Sequence, residues 1–119
     1  MEFSNNISIW LQVANTVKSD ITSGKLSPGE KLPGGRELAL QYSISPNTAA
    51  RVYQELEREG ICVTKRGLGT FVTEDTERII ALRRETADTL IRAYFSQMRA
   101  LGYSNQEARA MITKESESE

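Results

Sequence analysis

Three side chains suited to contacting DNA bases, Asn47, Thr48 and Arg51, fall on one side of a predicted helix. Asparagine and threonine offer short hydrogen-bonding groups, and arginine offers a planar fork of N–H donors that pairs well with guanine. In a helix-turn-helix, the N-terminal part of the second helix presents such groups to the major groove of DNA. An ordinary solvated helix face would carry similar residues, so these three alone leave both interpretations open.

The helix that would position these side chains has clear limits. Ser45 is a good N-cap, and Pro46 suits the first helical position, where its missing N–H costs nothing. Gly60 can take the left-handed conformation that ends a helix. The other side of the helix should be buried, because it carries an apolar stripe with helical spacing. The stripe consists of Ala49, Val52, Tyr53 and Leu56.

A second basic group lies in a hairpin predicted after this helix. Residues 61–64 and 70–73 are rich in β-branched and aromatic side chains, which favour strands. Between them, the run Lys65-Arg66-Gly67-Leu68-Gly69 predicts a narrow basic turn. Most basic turns are merely exposed, so this one is a weak pattern by itself. Directly after a helix-turn-helix it predicts a wing that enters a minor groove.

Two further helices should precede the helix that begins at Pro46. The first should run from Ser8 to Gly24, and the second should begin after Gly34. The loop between them contains two prolines and should be stiff. Residues 1–7 show no apolar period and should be frayed. The expected core residues are Ile9, Val13, Val17 and Ile21 on the first helix, with Trp10 beside them, and Leu38, Ala39 and Tyr42 on the second.

The helical period returns from Asp75 to about Leu101. Ser104 and Glu107 form a capping box for a short last helix, and the acidic end, residues 115–119, should be disordered. Two helices cannot bury such an apolar stripe by themselves, so we expect a homodimer with a two-fold axis. Folding back onto the same chain is the alternative. The expected dimer contacts are Ala87, Leu90, Ile91, Tyr94, Met98 and Leu101.

Length and composition suit one small domain with an appendage. The 119 residues include one cysteine and no histidine, and the net charge is −1. A lone cysteine, no signal peptide and no apolar run near the ~20 residues of a membrane span predict a cytoplasmic protein. Residues 31–73 carry six basic and four acidic side chains. This mild positive excess favours a protein that reads DNA sequence over one that coats DNA non-specifically.

The chain offers little for catalysis. Without histidine it lacks the commonest acid–base group and transition-metal ligand. Cys62 has no histidine partner, and it fits a buried strand position better than a reactive thiol. No helix directly follows the glycines of the predicted wing, so they do not form a nucleotide-binding loop. We therefore predict no enzyme activity, no metal site and no cofactor.

The stretch GKLSPGEKLPGGRELALQYSISPNTAARVYQELEREG, followed by KRGLGTFV, resembles the winged helix-turn-helix domain of GntR-type bacterial transcription regulators. The resemblance covers about Ile9 to Thr73. It implies a mostly α fold with a small β-hairpin, in which residues 1–73 bind DNA and residues 74–119 form two helices for dimerisation or effector binding. So short a second region is similar to the YtrA-type branch of the family.

The resemblance also implies roles for individual residues. The helix residues would contact the major groove or a phosphate, and the wing residues would hold the wing root or allow close approach to the minor groove. Gly34 departs from the family, which usually has a small hydroxyl residue there, and Pro46 stands where many members have a basic residue. The implied DNA-binding residues are Arg36, Ser45, Asn47, Thr48, Arg51, Lys65, Arg66, Gly67 and Gly69.

The predicted function is therefore that of a dimeric transcription regulator, most simply a repressor. Two recognition helices ~34–36 Å apart would read an inverted repeat in double-stranded DNA. A small-molecule effector of unknown identity could change DNA affinity only by binding two states of the protein with different affinities. The alternative is a winged-helix module that binds protein. That class should show apolar or acidic residues at positions 47, 48 and 51, which this sequence does not.

Overall fold

Five α-helices and one β-hairpin follow one another along residues 8–118, the part of the chain that this computed structural model describes. The frayed segment expected at residues 1–7 lies outside the described residues. The order of elements confirms the predicted fold class, a winged helix-turn-helix followed by two C-terminal helices. The elements are α1 (Ile9–Thr22), α2 (Gly35–Tyr42), α3 (Pro46–Arg58), β1 (Cys62–Lys65), β2 (Gly69–Val72), α4 (Thr76–Ala100) and α5 (Asn105–Glu117).

The chain divides into two compact units after Leu82. This division lies beyond Thr73, where we expected the boundary, because α4 begins as part of the N-terminal unit. Leu82 is buried in the core of that unit, and Ile79 packs against the same core. The Nε of Arg78 also donates to the carbonyl oxygen of Glu59 at 2.8 Å, which ties the start of α4 to the end of α3.

One apolar core joins the helices and the hairpin of the N-terminal unit. Burying a large aliphatic side chain of this kind contributes about 1.5–3 kcal/mol. Ile9 is an exception among the predicted core residues: it stands at the first position of α1, one turn before the buried Val13, and stays 46% exposed. The largest fully buried side chains are Leu38, Leu56, Ile61, Val13, Val52 and Val72.

The limits and the buried face of α3 agree with the prediction. The backbone N–H of Thr48 donates to Ser45 Oγ at 3.1 Å, and Pro46 occupies the first position. Gly60 adopts a φ of +74°, and the following Ile61 N–H donates to the Leu56 carbonyl oxygen at 2.9 Å, which closes the helix. All four residues of the predicted stripe are buried. One side of α3 is thus fixed to the core, and the other is left for contacts.

The hairpin is antiparallel, with Cys62 opposite Val72 and Lys65 opposite Gly69. Both strands are shifted by one residue from the predicted ranges, β1 toward the C-terminus and β2 toward the N-terminus. Ile61 is left out of β1 because its N–H closes α3. Thr73 follows β2, and its N–H donates to the Ile61 carbonyl oxygen at 2.9 Å. The predicted strand signal was therefore sound, and the helix end decided its boundary.

The proline-containing loop before α2 pairs with the wing, which the sequence did not predict. Leu32 N–H donates to the Thr70 carbonyl oxygen at 2.8 Å, and Val72 N–H donates to the Glu30 carbonyl oxygen at 2.9 Å. Lys31 and Phe71 form an isolated antiparallel bridge between these bonds. The edge of β2 that faces away from β1 is paired in this way with residues 30–32, a segment far from it in sequence.

The C-terminal unit contains most of α4 and all of α5. Tyr94 Oη donates to the carbonyl oxygen of the buried Ala108 at 2.8 Å, which links the two helices. The predicted capping box of α5 is present, with both bonds between Ser104 and Glu107 at 3.0 Å. The predicted disorder of the acidic end is wrong for residues 115–117, which are helical. Extending a formed helix gains one backbone bond per residue, and glutamate is a good helix former.

None of the helices between residues 8 and 118 combines the length and the apolarity that a bilayer span requires.

Candidate nucleic-acid interface

The N-terminal half of α3 presents polar side chains opposite its buried stripe. Asn47 and Arg51 are exposed, and Thr48 is half-buried between them. Ala49 and Val52, their neighbours along the chain, are fully buried. Because Ala49 and Val52 fix the rotation of the helix about its axis, Asn47 and Arg51 are held on its outer side. The predicted reading residues are thus brought together on one accessible face.

Ser45 and Thr48 interact with each other as well as with the backbone. Ser45 Oγ accepts the N–H of Thr48, and the two hydroxyl oxygens lie 2.8 Å apart. Each hydroxyl carries one donor hydrogen. One of these hydrogens is used in the bond between the two oxygens, so the other remains available for a phosphate or a base. The pair therefore caps the helix and keeps one outward donor.

The guanidinium of Arg51 lies over an aromatic ring. Its guanidinium carbon is 4.5 Å from the centroid of the Trp10 ring, a cation–π distance. Trp10 comes from α1 and is half-buried against the core. The sequence placed Trp10 beside the apolar stripe of α1 and gave no sign of this contact, since the two residues are far apart in the chain.

The acidic residues at the C-terminal end of α3 each have a partner, which is a cation for Glu55 and Glu59 and a hydroxyl for Glu57. Arg58 donates through Nε to Glu55 at 2.9 Å, and this hydrogen bond holds the pKa of the Glu55 carboxyl below its usual range. The Glu59 carboxylate contacts the ammonium of Lys18 on α1 at 2.7 Å. Glu57 accepts a hydrogen bond from the Thr64 hydroxyl on β1. Negative charge is therefore partnered and kept away from the end of α3 that presents Asn47 and Arg51.

The wing turn exposes its cations. Leu68 N–H donates to the Lys65 carbonyl oxygen at 2.9 Å, and Gly67 supplies the left-handed residue of this turn with a φ of +78°. The ammonium of Lys65 lies 4.8 Å from the centroid of the Phe71 ring, which holds the side chain over β2. Arg66 is exposed at the tip. The turn is narrow and basic, as the sequence predicts.

Lys31 is a cation at the wing that the sequence reasoning missed. It belongs to the loop that pairs with β2, and its side chain crosses Gly69. A Cβ added to Gly69 would lie 3.0 Å from Lys31 Cε, and the φ of Gly69, +120°, is one that other residues rarely adopt. Gly69 pairs with Lys65 in the hairpin, so Lys31 adds a third positive charge to this part of the wing.

Arg36 is exposed at the second residue of α2. The N-cap of that helix is Gly34, which makes no side-chain capping bond, so the first backbone N–H groups of α2 remain available. The hydroxyl of Tyr53 on α3 donates to the Pro33 carbonyl oxygen just before α2. Burial raises the pKa of Tyr53, which keeps the hydroxyl protonated and able to donate. This bond ties the start of α2 to α3.

Cys62 belongs to the core and takes no part in this surface. The side chain is buried, and desolvation, with a smaller contribution from the charge of Glu57, raises the pKa of its thiol to about 12. A thiol in this state is not a nucleophile.

The residues predicted to form a dimer are all in the C-terminal unit, and half of them are exposed. Leu90, Ile91 and Leu101 are 67%, 51% and 73% exposed. Ala87, Tyr94 and Met98 are half-buried. A groove of about 580 Å³ also lies in this unit, and its apolar lining is Tyr94, Met98, Met111 and Ile112.

A sequence profile described as "Bacterial regulatory proteins, gntR family" matches residues 10–72. This range is more than half of the chain, and it spans α1, the helix-turn-helix and the wing. The chain belongs to the GntR family. Like other GntR proteins, it is a DNA-binding transcriptional regulator and not an enzyme.

Two similar GntR relatives come from Bacillus subtilis. The chain is 37% identical over 106 residues to the uncharacterized HTH-type transcriptional regulator YhcF. The matched stretch covers 89% of this chain and 88% of YhcF. The chain is also 38% identical over 90 residues to the HTH-type transcriptional repressor YtrA. That matched stretch covers 76% of this chain and 67% of YtrA. These relatives confirm the predicted likeness to the YtrA-type branch.

A solved structure of a GntR family transcriptional regulator from Listeria monocytogenes has the same fold. The TM-score is 0.86 at 34% sequence identity, and the likeness covers 94% of this chain and 98% of the other. Coverage on this scale takes in the C-terminal helices as well as the winged helix-turn-helix, so both units have a counterpart in a GntR regulator.

Proposed function

We propose that this GntR protein is a homodimeric repressor that reads an inverted-repeat operator. The observation that carries the proposal is the division of α3 into a fully buried apolar side and an outer side with Asn47, Thr48 and Arg51. A module that binds protein would need apolar or acidic groups on that outer side. The name of the B. subtilis relative YtrA, a transcriptional repressor, supports the direction of regulation.

In this proposal α3 lies in the major groove. Arg51 donates two N–H groups to a guanine edge, and Asn47 pairs with a neighbouring base. The remaining hydroxyl hydrogen of the Ser45 and Thr48 pair is directed to the backbone or a base. Arg36, at the exposed start of α2, contacts a phosphate together with the free N–H groups there.

The wing in this proposal approaches the minor groove beside the same half-site. Arg66 at the tip inserts its guanidinium, and Lys65 and Lys31 contact phosphates on either side. Gly67 and Gly69 keep the wing thin enough for close approach. Lys31 extends the set of DNA contacts that the sequence suggested, because its side chain lies across Gly69.

Dimerisation in this proposal uses the apolar surface of α4 and α5. Leu90, Ile91 and Leu101 lose their exposure on pairing, and Ala87, Tyr94 and Met98 complete the contact. Such a C₂ interface uses the same patch on both copies, and this symmetry matches an inverted repeat. Since its target is chromosomal DNA, the dimer acts in the bacterial cytoplasm.

Selection of bound duplexes from a random library, at about 150 mM salt and with no added ligand, tests the proposal. Enrichment of an inverted repeat with half-sites about one turn apart (~34–36 Å) is the expected outcome. A single enriched half-site would retain base reading and contradict the dimer. A pool without enrichment would contradict base reading by the free protein, and it would leave two explanations, an obligatory effector or the protein-binding module.

A further inference from the structure

Trp10 stands at the edge of the DNA-facing surface and has no role in the contacts assigned so far. Its ring covers the guanidinium of Arg51 at 4.5 Å. Among residues 8–118, this ring is the partner found for the Arg51 side chain, which makes no ion pair or hydrogen bond there. An exposed arginine at the centre of a reading surface is therefore held by one aromatic face.

The ring is itself held in place. Trp10 packs against the core, and the next turn of α1 places Val13 and Ala14 in that core with no exposed surface. At the other end of α1, Lys18 binds Glu59 at 2.7 Å, with both side chains largely buried. Because α1 is fixed to α3 at both places, the indole cannot follow a freely moving arginine. The arginine is the partner that becomes ordered.

Stacking suits an arginine that must read a base. A ring against the flat face of the guanidinium leaves the N–H groups at its edge free to donate in the plane. The bidentate contact to guanine uses that edge. A long side chain ordered before binding loses less conformational freedom when it binds, which improves affinity for the correct base pair.

We propose that Trp10 is a positioning residue that pre-orders Arg51 for base reading. The inference rests on the proposed function, in which Arg51 contacts a base pair. It adds a specificity determinant from α1, outside the helix-turn-helix and the wing. In this role the indole does not contact DNA; it fixes the plane in which the guanidinium presents its donors.

Four variants test the role: Trp10→Phe, Trp10→Leu, Arg51→Ala and the double variant Trp10→Leu/Arg51→Ala. Binding is measured on the selected operator and on the same duplex with the Arg51-dependent base pair replaced. Trp10→Leu keeps an apolar side chain, although a smaller one, and has no π face, so discrimination between the two duplexes should fall about two- to fivefold. Trp10→Phe keeps a ring and should retain most of that discrimination. In the double variant, loss of the ring should add nothing to the loss caused by Arg51→Ala.

The fluorescence of Trp10 tests whether its contact with Arg51 forms in solution, and the double variant then distinguishes positioning from packing. Trp10 is the one tryptophan of the chain, so its emission reports this contact directly. Arg51→Ala should shift the emission of the free protein, while circular dichroism shows the same helix content. An unchanged emission would overturn the inference even if the leucine variant failed to fold.

The outcomes separate the two proposals. If Arg51→Ala lowers discrimination and Trp10→Leu does not, Arg51 reads DNA without help from Trp10, and the inference fails alone. If Trp10→Leu lowers affinity equally with and without Arg51, the indole is only a packing residue, and the inference fails again. If Arg51→Ala binds both duplexes like the wild type, the base contact and the inference fail together.

Discussion

Leu56 in the N-terminal unit is fully buried, whereas Leu90 in the C-terminal unit is 67% exposed. The contrast extends to whole elements. The described residues of the N-terminal unit bring three helices and a hairpin around one core, and their outer surface carries the polar and basic groups. Among the described residues of the C-terminal unit, beyond the boundary after Leu82, Ala108 is the buried apolar residue. The first unit encloses a buried apolar core, whereas large apolar side chains of the second unit are exposed.

The largest expected effect concerns this open surface. Leu90→Glu should convert the proposed dimer into monomers, because a carboxylate cannot be buried against an apolar partner without large cost. Loss of paired binding should lower affinity for an inverted repeat by about 10²–10⁴-fold. Light scattering and operator titration measure the two effects. Leu40→Glu changes an 82% exposed leucine on α2 and is the control for the light-scattering measurement. It should leave the molecular mass of the particle in solution unchanged. A dimer that persists in Leu90→Glu would show that the interface lies elsewhere.

Truncating one leucine in each unit should separate a core from an interface. Leu56→Ala should lower the free energy of unfolding of the N-terminal unit by about 2–5 kcal/mol at any protein concentration. Leu90→Ala should act through the proposed dimer. The loss of unfolding free energy that it causes should therefore be larger at a high protein concentration than at a low one. Denaturant titrations at two concentrations check both. A concentration-independent loss for Leu90→Ala would mean that Leu90 packs within its own chain.

An arginine of the N-terminal unit and one of the C-terminal unit should differ in their contribution to specific DNA binding. Arg51→Ala should weaken specific binding by about 1–3 kcal/mol and relax preference at one base pair. Arg109→Ala, at an exposed position of α5, is the matched change and should alter neither. Competition with duplexes changed one base pair at a time gives the measurement. Equal behaviour of the two variants would remove α3 as the reading helix.

A lysine from each unit can be compared in the same way, with a smaller expected effect on DNA affinity. Lys31→Gln should lower affinity evenly across sequences and reduce the slope of log affinity against log salt by about 0.9, the value for one phosphate contact. Lys114→Gln, on α5, should leave the slope unchanged. Titrations at several salt concentrations distinguish them. A slope that stays constant in Lys31→Gln would mean that this ammonium is not at the backbone.

The smallest effect expected is a pH response confined to α5. Hydrogen bonds with Ser104, first of all from its backbone N–H, hold the pKa of Glu107 below its usual range. The folded pKa is thus below the unfolded one (~4.3), so the stabilisation is present above that value and is lost as pH falls through the folded pKa. In α3 the residue at the same position is Thr48, which does not titrate there. Amide chemical shifts followed from about pH 6 to pH 3 should show the first turn of α5 loosening, with no such step in α3.

Much of the fold could be predicted because its information is local. The limits of α3 depend on Ser45, Pro46 and Gly60, which act within one turn of where they stand. The capping box of α5 is similarly local. Residues on the outer side of α3 could be found in the same way, since burial of one stripe determines which positions face outward.

Other features depend on contacts between distant segments. The first strand begins one residue later than predicted because Ile61 closes α3. The start of α4 belongs to the N-terminal unit because Leu82 is buried in the core of that unit. Lys31 and Trp10 were not recognised because each meets its partner, Gly69 or Arg51, only after the chain has folded. Neither pair leaves a pattern in the sequence.

The sequence by itself determined where helices begin and end, which faces are apolar and which residues carry charge. These properties follow from backbone preferences and from side-chain spacing along one element. Only the tertiary structure decided which side chains meet across elements: the ring of α1 on the arginine of α3, and the lysine of a loop on the glycine of the wing. Such meetings depend on how the core brings separate segments together, and no local preference encodes that distance.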